Sequence, residues 1–517
     1  MDNQRLIIWS FFGFMCILTY QAWNLDLTQN EVVERAREVN ELRFETTPKV
    51  DNNLPTLNQT RDNERSPVLE NNNFSSDIIT ITTDVLELKI NSQGGTIEGA
   101  KLLNYPKSKD QPNDVIELLS PNPKDLGLIQ TGLRSLKGAP EPNHLATYSS
   151  DSKNYELTNQ AELIVPLYWT DDNGITLEKQ FRLSKGSYRV DIEHRLTNNT
   201  NQDWRGASYS QITRRITSKD RSMFDVESFS FDGPIIFNGD KSEKIDPSDL
   251  NDDGPTEFVS PNGWIGSIQH HFLSAIVPEK EIEQRYQVSA NNARVISNMI
   301  GPTEIVYPNQ TKTFSTTAYI GPKLQAQMNA IDPKLRLSVD YGILTVLSQP
   351  LFWLLNFVYS FVENWGLAII SVTAIIKLLF YKLTEKSGQS MAKMRAIAPR
   401  LKAIQERYKD NKTEQGKATM ELYKREKVNP MAGCVPMLIQ MPFFLAFYWV
   451  LLESVEMRQA PFMFWLTDLS SRDPYFILPL IMGVAMLFQQ KLNPPPADPM
   501  QAKVMQIMPV MFSGMFA

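Results

Sequence analysis

The sequence has almost no cysteine: Cys16 and Cys434 are the two in 517 residues, and both lie in apolar stretches. The polar middle of the chain therefore carries no disulfide framework, and cysteine says nothing about its redox compartment. Histidine is nearly as scarce. His144, His194, His270 and His271 lack metal-ligand spacing, and the pair His270–His271 reads more simply as surface or strand residues than as part of a zinc site. No nucleophile arrangement, phosphate-cradling glycine loop or metal cluster occurs, which argues against covalent catalysis and against a metal or other cofactor. The net charge is only −6, too small to indicate a nucleic-acid partner by itself.

Mean hydropathy is −0.29, an average that hides a division. Residues 26 to about 340 are polar, while runs long enough to cross a bilayer lie at the start and in the last third. The first run, Leu6–Trp23, is longer than the apolar part of a usual signal peptide, and no A-x-A cleavage site follows it. Gly13-Phe14-Met15 before Cys16 is not a lipoprotein pattern either. Residues 1–24 are expected to form an uncleaved anchor, with Arg5 holding the N-terminus inside. Residues 25–75 are rich in Asn, Asp, Glu, Arg and Thr and cannot bury enough apolar surface to offset their ordering entropy. A flexible linker is expected there.

Alternation then takes over. Ile79, Ile81, Val85, Leu88 and Ile90 are interleaved with polar residues up to Gly94-Gly95. Tyr168-Trp169 leads through Asp171-Asp-Asn-Gly174 into Ile175-Thr-Leu177-Glu-Lys-Gln-Phe181-Arg-Leu183, a hairpin signal. Short strands with turn residues recur to about Tyr319, so 76–340 is read as a large all-β domain, most simply a sandwich.

The apolar region Tyr341–Leu383 exceeds one span and is divided by Pro350 and by Glu363-Asn364. Residues 341–361 are expected to lie along the outer interface as an amphipathic helix, and 362–383 to cross the membrane with Trp365 as outer anchor. Further spans are expected at 434–452 and 475–490, and another apolar run occupies 504–517. Charge orients them. Residues 382–428 hold 13 Lys/Arg, whereas 453–474 hold only Arg458 and Arg472. The basic segment 384–428 is therefore placed in the cytoplasm together with 491–503, and 453–474 and the β domain outside. Met394, Ile397, Leu401, Ile404 and Tyr408 recur at helical spacing in the basic segment, which predicts a hairpin of two packed helices, the first interrupted at Pro399. Two readings of it stay open: a topology determinant touching anionic lipid, or a docking arm presenting Lys393, Arg395, Arg400, Lys402 and Arg407 to ribosomal RNA or a targeting factor.

One ionisable residue interrupts the span after Trp365: Lys377, with Thr373 one turn earlier and Ser371 nearby. At 1.5 Å per residue it would lie about 18 Å below Trp365 and about 9 Å above Leu383. A charge at that depth costs a few kcal/mol or more unless it faces water or a partner. Snorkelling to the cytoplasmic headgroups is one solution. The other is a hydrated cavity whose positive charge attracts the polar tail of an incoming substrate.

The segment from Asn429-Pro-Met-Ala-Gly-Cys-Val-Pro436 through Gln440-Met-Pro442 to Tyr448 resembles the third span of the YidC/Oxa/Alb insertase family. Glu456-Met-Arg458-Gln-Ala-Pro461-Phe, Asp473-Pro-Tyr475, Asn364-Trp365-Gly366 and Ser390-Met-Ala-Lys-Met394 are similar to its other motifs. Thr83-Asp-Val-Leu-Glu-Leu88, Gly94-Gly95, Gly263-Trp264 and Val339-Asp-Tyr341-Gly342 resemble the periplasmic domain of its Gram-negative members. The resemblance implies a multi-domain inner-membrane protein, a helical transmembrane core carrying a periplasmic β-supersandwich. It also implies a hydrophilic groove with its positive residue at Lys377 beside Thr373 and Ser371, and a substrate slide along Pro436, Met437, Gln440, Met441, Phe444 and Tyr448. The implied activity is non-enzymatic insertion of nascent membrane proteins, alone or with the Sec translocon, with the ribosome or the signal-recognition receptor as candidates for the hairpin. Two departures stand out: the groove residue is Lys where the family usually has Arg, and the family's sixth span and basic tail are not among these residues. Either the sequence is a fragment or the groove is open on one side. A transporter would show inverted repeats and charges in several spans, and a sugar-modifying enzyme paired carboxylates; the sequence shows neither.

Overall fold

The structure, a computed structural model, describes residues 54–55, 77–136, 139–216, 231–252, 254–291, 293–339, 341, 344–409, 411–429, 435–492 and 499–516. The expected anchor over 1–24, both cysteines and nearly all of 25–75 lie outside them. The chain divides into a β unit spanning 50–340, which also takes in 452–456, and a helical unit formed by the rest of the C-terminal part.

The β unit holds two large sheets, as the alternation predicts. The nine-stranded sheet runs, in pairing order, Ser242–Lys244, Asp232–Phe237, Trp264–Gln269, Phe272–Pro278, Gln310–Pro322, Arg189–Asn198, Ile175–Ser184, Glu162–Thr170, Ser149–Ser150. The eleven-stranded sheet runs Thr256–Ser260, Gln284–Asn291, Arg294–Ile300, Trp204–Arg215, Gly127–Ser135, Thr96–Ser108, Leu86–Asn91, Ile78–Thr82, Asn154–Glu156, with Glu304–Val306 and Gln111–Leu119 joining its side. The expected hairpin is present, pairing Trp169 with Leu177 and Thr170 with Thr176 across Asp171–Gly174. Two short helices, α1 (Pro247–Asp252) and α2 (Gln325–Ile331), complete the unit. His270 and His271 sit at the turn between two strands with their rings stacked at 3.7 Å.

Strand Ile175–Ser184 buries every second residue, and that inward row includes a lysine: Ile175, Leu177, Lys179, Phe181 and Leu183. Lys179 has no carboxylate partner in its hydrogen bonding. Its ammonium donates to the carbonyls of Gly94 (2.9 Å), Gly95 (2.9 Å) and Thr131 (3.0 Å). Three N–H groups meet three acceptors, joining one sheet to the other. The glycine pair makes this approach possible. Gly94 is left-handed at φ 75°, and a Cβ there would lie 2.3 Å from the His144 carbonyl oxygen. Two residues of the expected linker are described, and both touch the β unit. Leu54 packs against Ala207, Tyr209 and Ile300, and the Pro55 carbonyl accepts from Arg134 Nη1 at 2.8 Å.

The helical unit comprises α3 (Thr345–Val362), α4 (Trp365–Leu379), α5 (Tyr381–Arg407), α6 (Lys412–Arg425), α7 (Val435–Glu453), α8 (Ile477–Leu492) and α9 (Pro499–Met515). Pro350 does not divide the first apolar region, because α3 runs through it. As the sixth residue of the helix it forfeits the hydrogen bond to the Val346 carbonyl, and the helix continues past it. The break falls at Glu363-Asn364, where Glu363 is left-handed. Within the stretch 362–383 the helix that starts at Trp365 ends at Leu379, and after Phe380 the chain turns by 65° into α5. By length and apolarity α3 and α7 each suffice to cross a membrane, and so does the bent pair α4–α5 taken as one.

Burial lowers the His144 pKa from 6.5 to about 4, helped by the Lys179 and Arg134 charges, and burial lowers Lys179 from 10.5 to about 7. Both are bases that bind protons less readily when folded, so stability rises with pH between the folded and unfolded values. Amide exchange from the sheet core of the solubilised chain should accelerate as pH falls from about 6.5 to about 4, after correction for intrinsic rates. It should slow between about 7 and 10.5, and Lys179→Met should remove that second window.

Candidate functional site

The Asn364-Trp365-Gly366 motif fixes the start of α4. Asn364 Oδ1 accepts from Leu367 N (3.0 Å), and its Nδ2 donates to the Phe462 carbonyl (2.9 Å), which ties the helix start to the following loop. Trp365 stacks on Tyr359 at 3.8 Å. A Cβ on Gly366 would come within 2.1 Å of the Phe462 ring. Asp473 organises the start of α8 in the same way, accepting from Tyr475 N, Leu478 N and Trp465 Nε1.

Twelve residues after Trp365, Lys377 occupies the last turn of α4, where the unpaired helix carbonyls favour a cation. With the helix ending at Leu379, it lies only about 3 Å along the axis from that end. The ammonium points across to α7. It donates to Gln440 Oε1 at 3.3 Å and lies 4.9 Å from the Phe444 ring centre. Thr373, four residues earlier, shares this face, and its hydroxyl donates back to the Ile369 carbonyl at 2.8 Å. Ser371 donates likewise to Leu367 O at 2.8 Å, but six residues place it about 120° around the helix from Lys377. The structure thus brings Lys377 and Thr373 together and sets Ser371 apart.

The slide residues separate into two rows on α7. Met437, Met441 and Tyr448 are exposed and Phe444 is half-buried, at spacings of four, three and four. Pro436 and Gln440 are buried. In the basic hairpin, Ile397 of α5 and Leu422 of α6 are buried, and Met394, Leu401, Ile404 and Tyr408 are half-buried, so the predicted stripe is the packed face. Lys393, Arg395, Arg400, Lys402 and Arg407 are all exposed. Arg400 pairs with Glu426 at 2.7 Å across the hairpin, leaving it less free than its neighbours. Among the described residues no group of three or more His, Cys, Asp or Glu could hold a metal ion.

A β unit followed by apolar helices, one carrying a lysine that faces its neighbour, defines a membrane protein with a large non-membrane domain. The YidC periplasmic domain model matches residues 78–354, and the 60Kd inner membrane protein model matches 357–517. The chain belongs to the YidC family. The protein named membrane protein insertase YidC of Nitrosococcus oceani is 40% identical over 521 residues, covering 100% of this chain and 94% of that protein. The protein of the same name from Methylococcus capsulatus is 43% identical over 445 residues, 85% of this chain and 80% of its own length.

Gly366→Ala should lower the steady-state amount of protein several-fold, because backbone and ring cannot both stay in place. Asn364→Ala should cost about 1 kcal/mol, typical of a lost helix cap, and have a milder effect. Quantitative immunoblotting of membranes checks both.

Proposed function

We propose that the chain is a non-enzymatic insertase of the inner membrane, receiving nascent membrane proteins in a positively charged groove between α4 and α7. The observation that carries this reading is the Lys377 ammonium, turned toward Gln440 and Phe444 on the facing helix. A cation there meets the polar or acidic tail of a substrate inside an apolar setting, so the tail exchanges water for a counter-charge rather than for hydrocarbon. Thr373 lies on the same face, and the exposed row Met437, Met441, Tyr448 beside half-buried Phe444 gives a substrate helix an adaptable apolar track. The names carried by the relatives support this reading.

In the proposed topology the hairpin α5–α6 is cytoplasmic and the β unit periplasmic, on the contrast of 13 Lys/Arg in 382–428 against 2 in 453–474. The helix α3 lies along the outer interface, with Val346, Trp353, Phe357 and Phe361 exposed toward lipid. The exposed basic residues of the hairpin dock a ribosome or a targeting receptor, and the Sec translocon is a partner for larger substrates.

In cells depleted of their own insertase, this chain and its Lys377→Arg form should support insertion of a single-spanning substrate, and Lys377→Ala should reduce it at least tenfold. Normal insertion by Lys377→Ala at equal abundance would mean that Lys377 only snorkels and that insertion rests on apolar contact.

A further inference from the structure

Lys377 stands in the last turn of α4, close enough to the end of the apolar run for its stem to carry the charge out to the headgroups. It is instead directed sideways onto α7. The partner there is an amide, and an amide differs from a carboxylate in what it leaves behind: it accepts a hydrogen bond without cancelling charge. Gln440 is 7% exposed, so its position is set by packing rather than by water. Its two ends are treated unequally. Oε1 accepts from the ammonium at 3.3 Å, while Nε2 is buried with no partner among the described residues.

Turning the amide over would put Nε2 donors against an ammonium and orphan Oε1 instead, so the cation dictates the orientation. A buried donor without an acceptor costs about 1–3 kcal/mol, and a native structure keeps such a group where something else is gained. The Phe444 ring, 4.9 Å from Nζ, adds a second uncharged attraction on the same helix. Lysine, unlike arginine, has no planar fork to fix its direction, so fixation has to come from outside the side chain.

We infer that Gln440 is a positioning residue: with Phe444 it holds the exposed Lys377 ammonium against α7, un-neutralised, so that its full charge selects substrates with an acidic tail. This rests on the groove reading above, and the test separates the two. Two single-spanning substrates differing only by Asp or Asn in the translocated tail are inserted by the full chain, at matched abundance. Gln440→Leu should slow the Asp substrate about tenfold more than it slows the Asn substrate, the order of one hydrogen bond to a charged group. On a Lys377→Ala background Gln440→Leu should add no further selective loss, since the two residues act through one charge. Gln440→Glu keeps an acceptor but cancels the cation, and should abolish the preference as well.

Equal loss on both substrates, or additive loss in the double variant, would show that Gln440 only packs the helices. An Asp preference surviving in Gln440→Leu or in Gln440→Glu would overturn the positioning role while leaving Lys377 in place. If Lys377→Ala itself acts without regard to the tail, the groove reading falls, and the positioning role with it.

Discussion

Holding an ammonium in a fixed place without a carboxylate is the constraint that both units of this chain meet, at buried Lys179 and at exposed Lys377. Burying an ion without compensation costs several kcal/mol, a large fraction of a domain's stability. The β unit meets the constraint at Lys179 with three backbone carbonyls, and the helical unit meets it at Lys377 with a side-chain amide and a ring. No carboxylate takes part in these bonds, so each charge is accommodated without being cancelled. In the β unit this ties the Gly94-Gly95 turn and strand Gly127–Ser135 to strand Ile175–Ser184. In the helical unit it leaves a cation usable by something else.

The surroundings of Lys377 follow from how α4 begins. Asn364 caps the helix and holds the Phe462 carbonyl, and Gly366 lets the loop ring lie against the backbone. The helix start is therefore fixed by three neighbouring residues, and Lys377 is carried just over three turns down a helix whose angular setting they determine. A motif that reads as a family signature is, physically, a mounting point.

Much of this was legible in the sequence because it rests on periodicity and charge, which are local. The strand alternation, the hairpin at Asp171–Gly174, the helical stripe of 394–408 and the apolar stretches 434–452 and 475–490 correspond to strands and helices observed. Lys377 stood out as the one charge in an apolar run. The break after Leu379 did not, because neither glycine nor proline marks it; Phe380 leaves helical geometry while its ring packs edge-on against Phe443 at 5.1 Å. Pro350 misled for the opposite reason, a breaker that the helix runs through. Gln440 was visible as a motif residue, but its pairing with Lys377 spans 63 positions, and no local pattern encodes that. Lys179 was readable in principle: the alternation from Ile175 to Leu183 places it inward.

The hydroxyl of Thr373 has its proton committed to its own helix, which makes the oxygen purely a lone-pair site toward the outside. One turn on, the Lys377 ammonium has protons to give and no lone pair. The same face of α4 therefore offers one acceptor and one donor about 6 Å apart along the axis. A peptide group carries one of each as well. On the proposed insertase reading, a passing backbone would meet this strip as a small stretch of immobilised water, indifferent to sequence in a way that the charge alone is not.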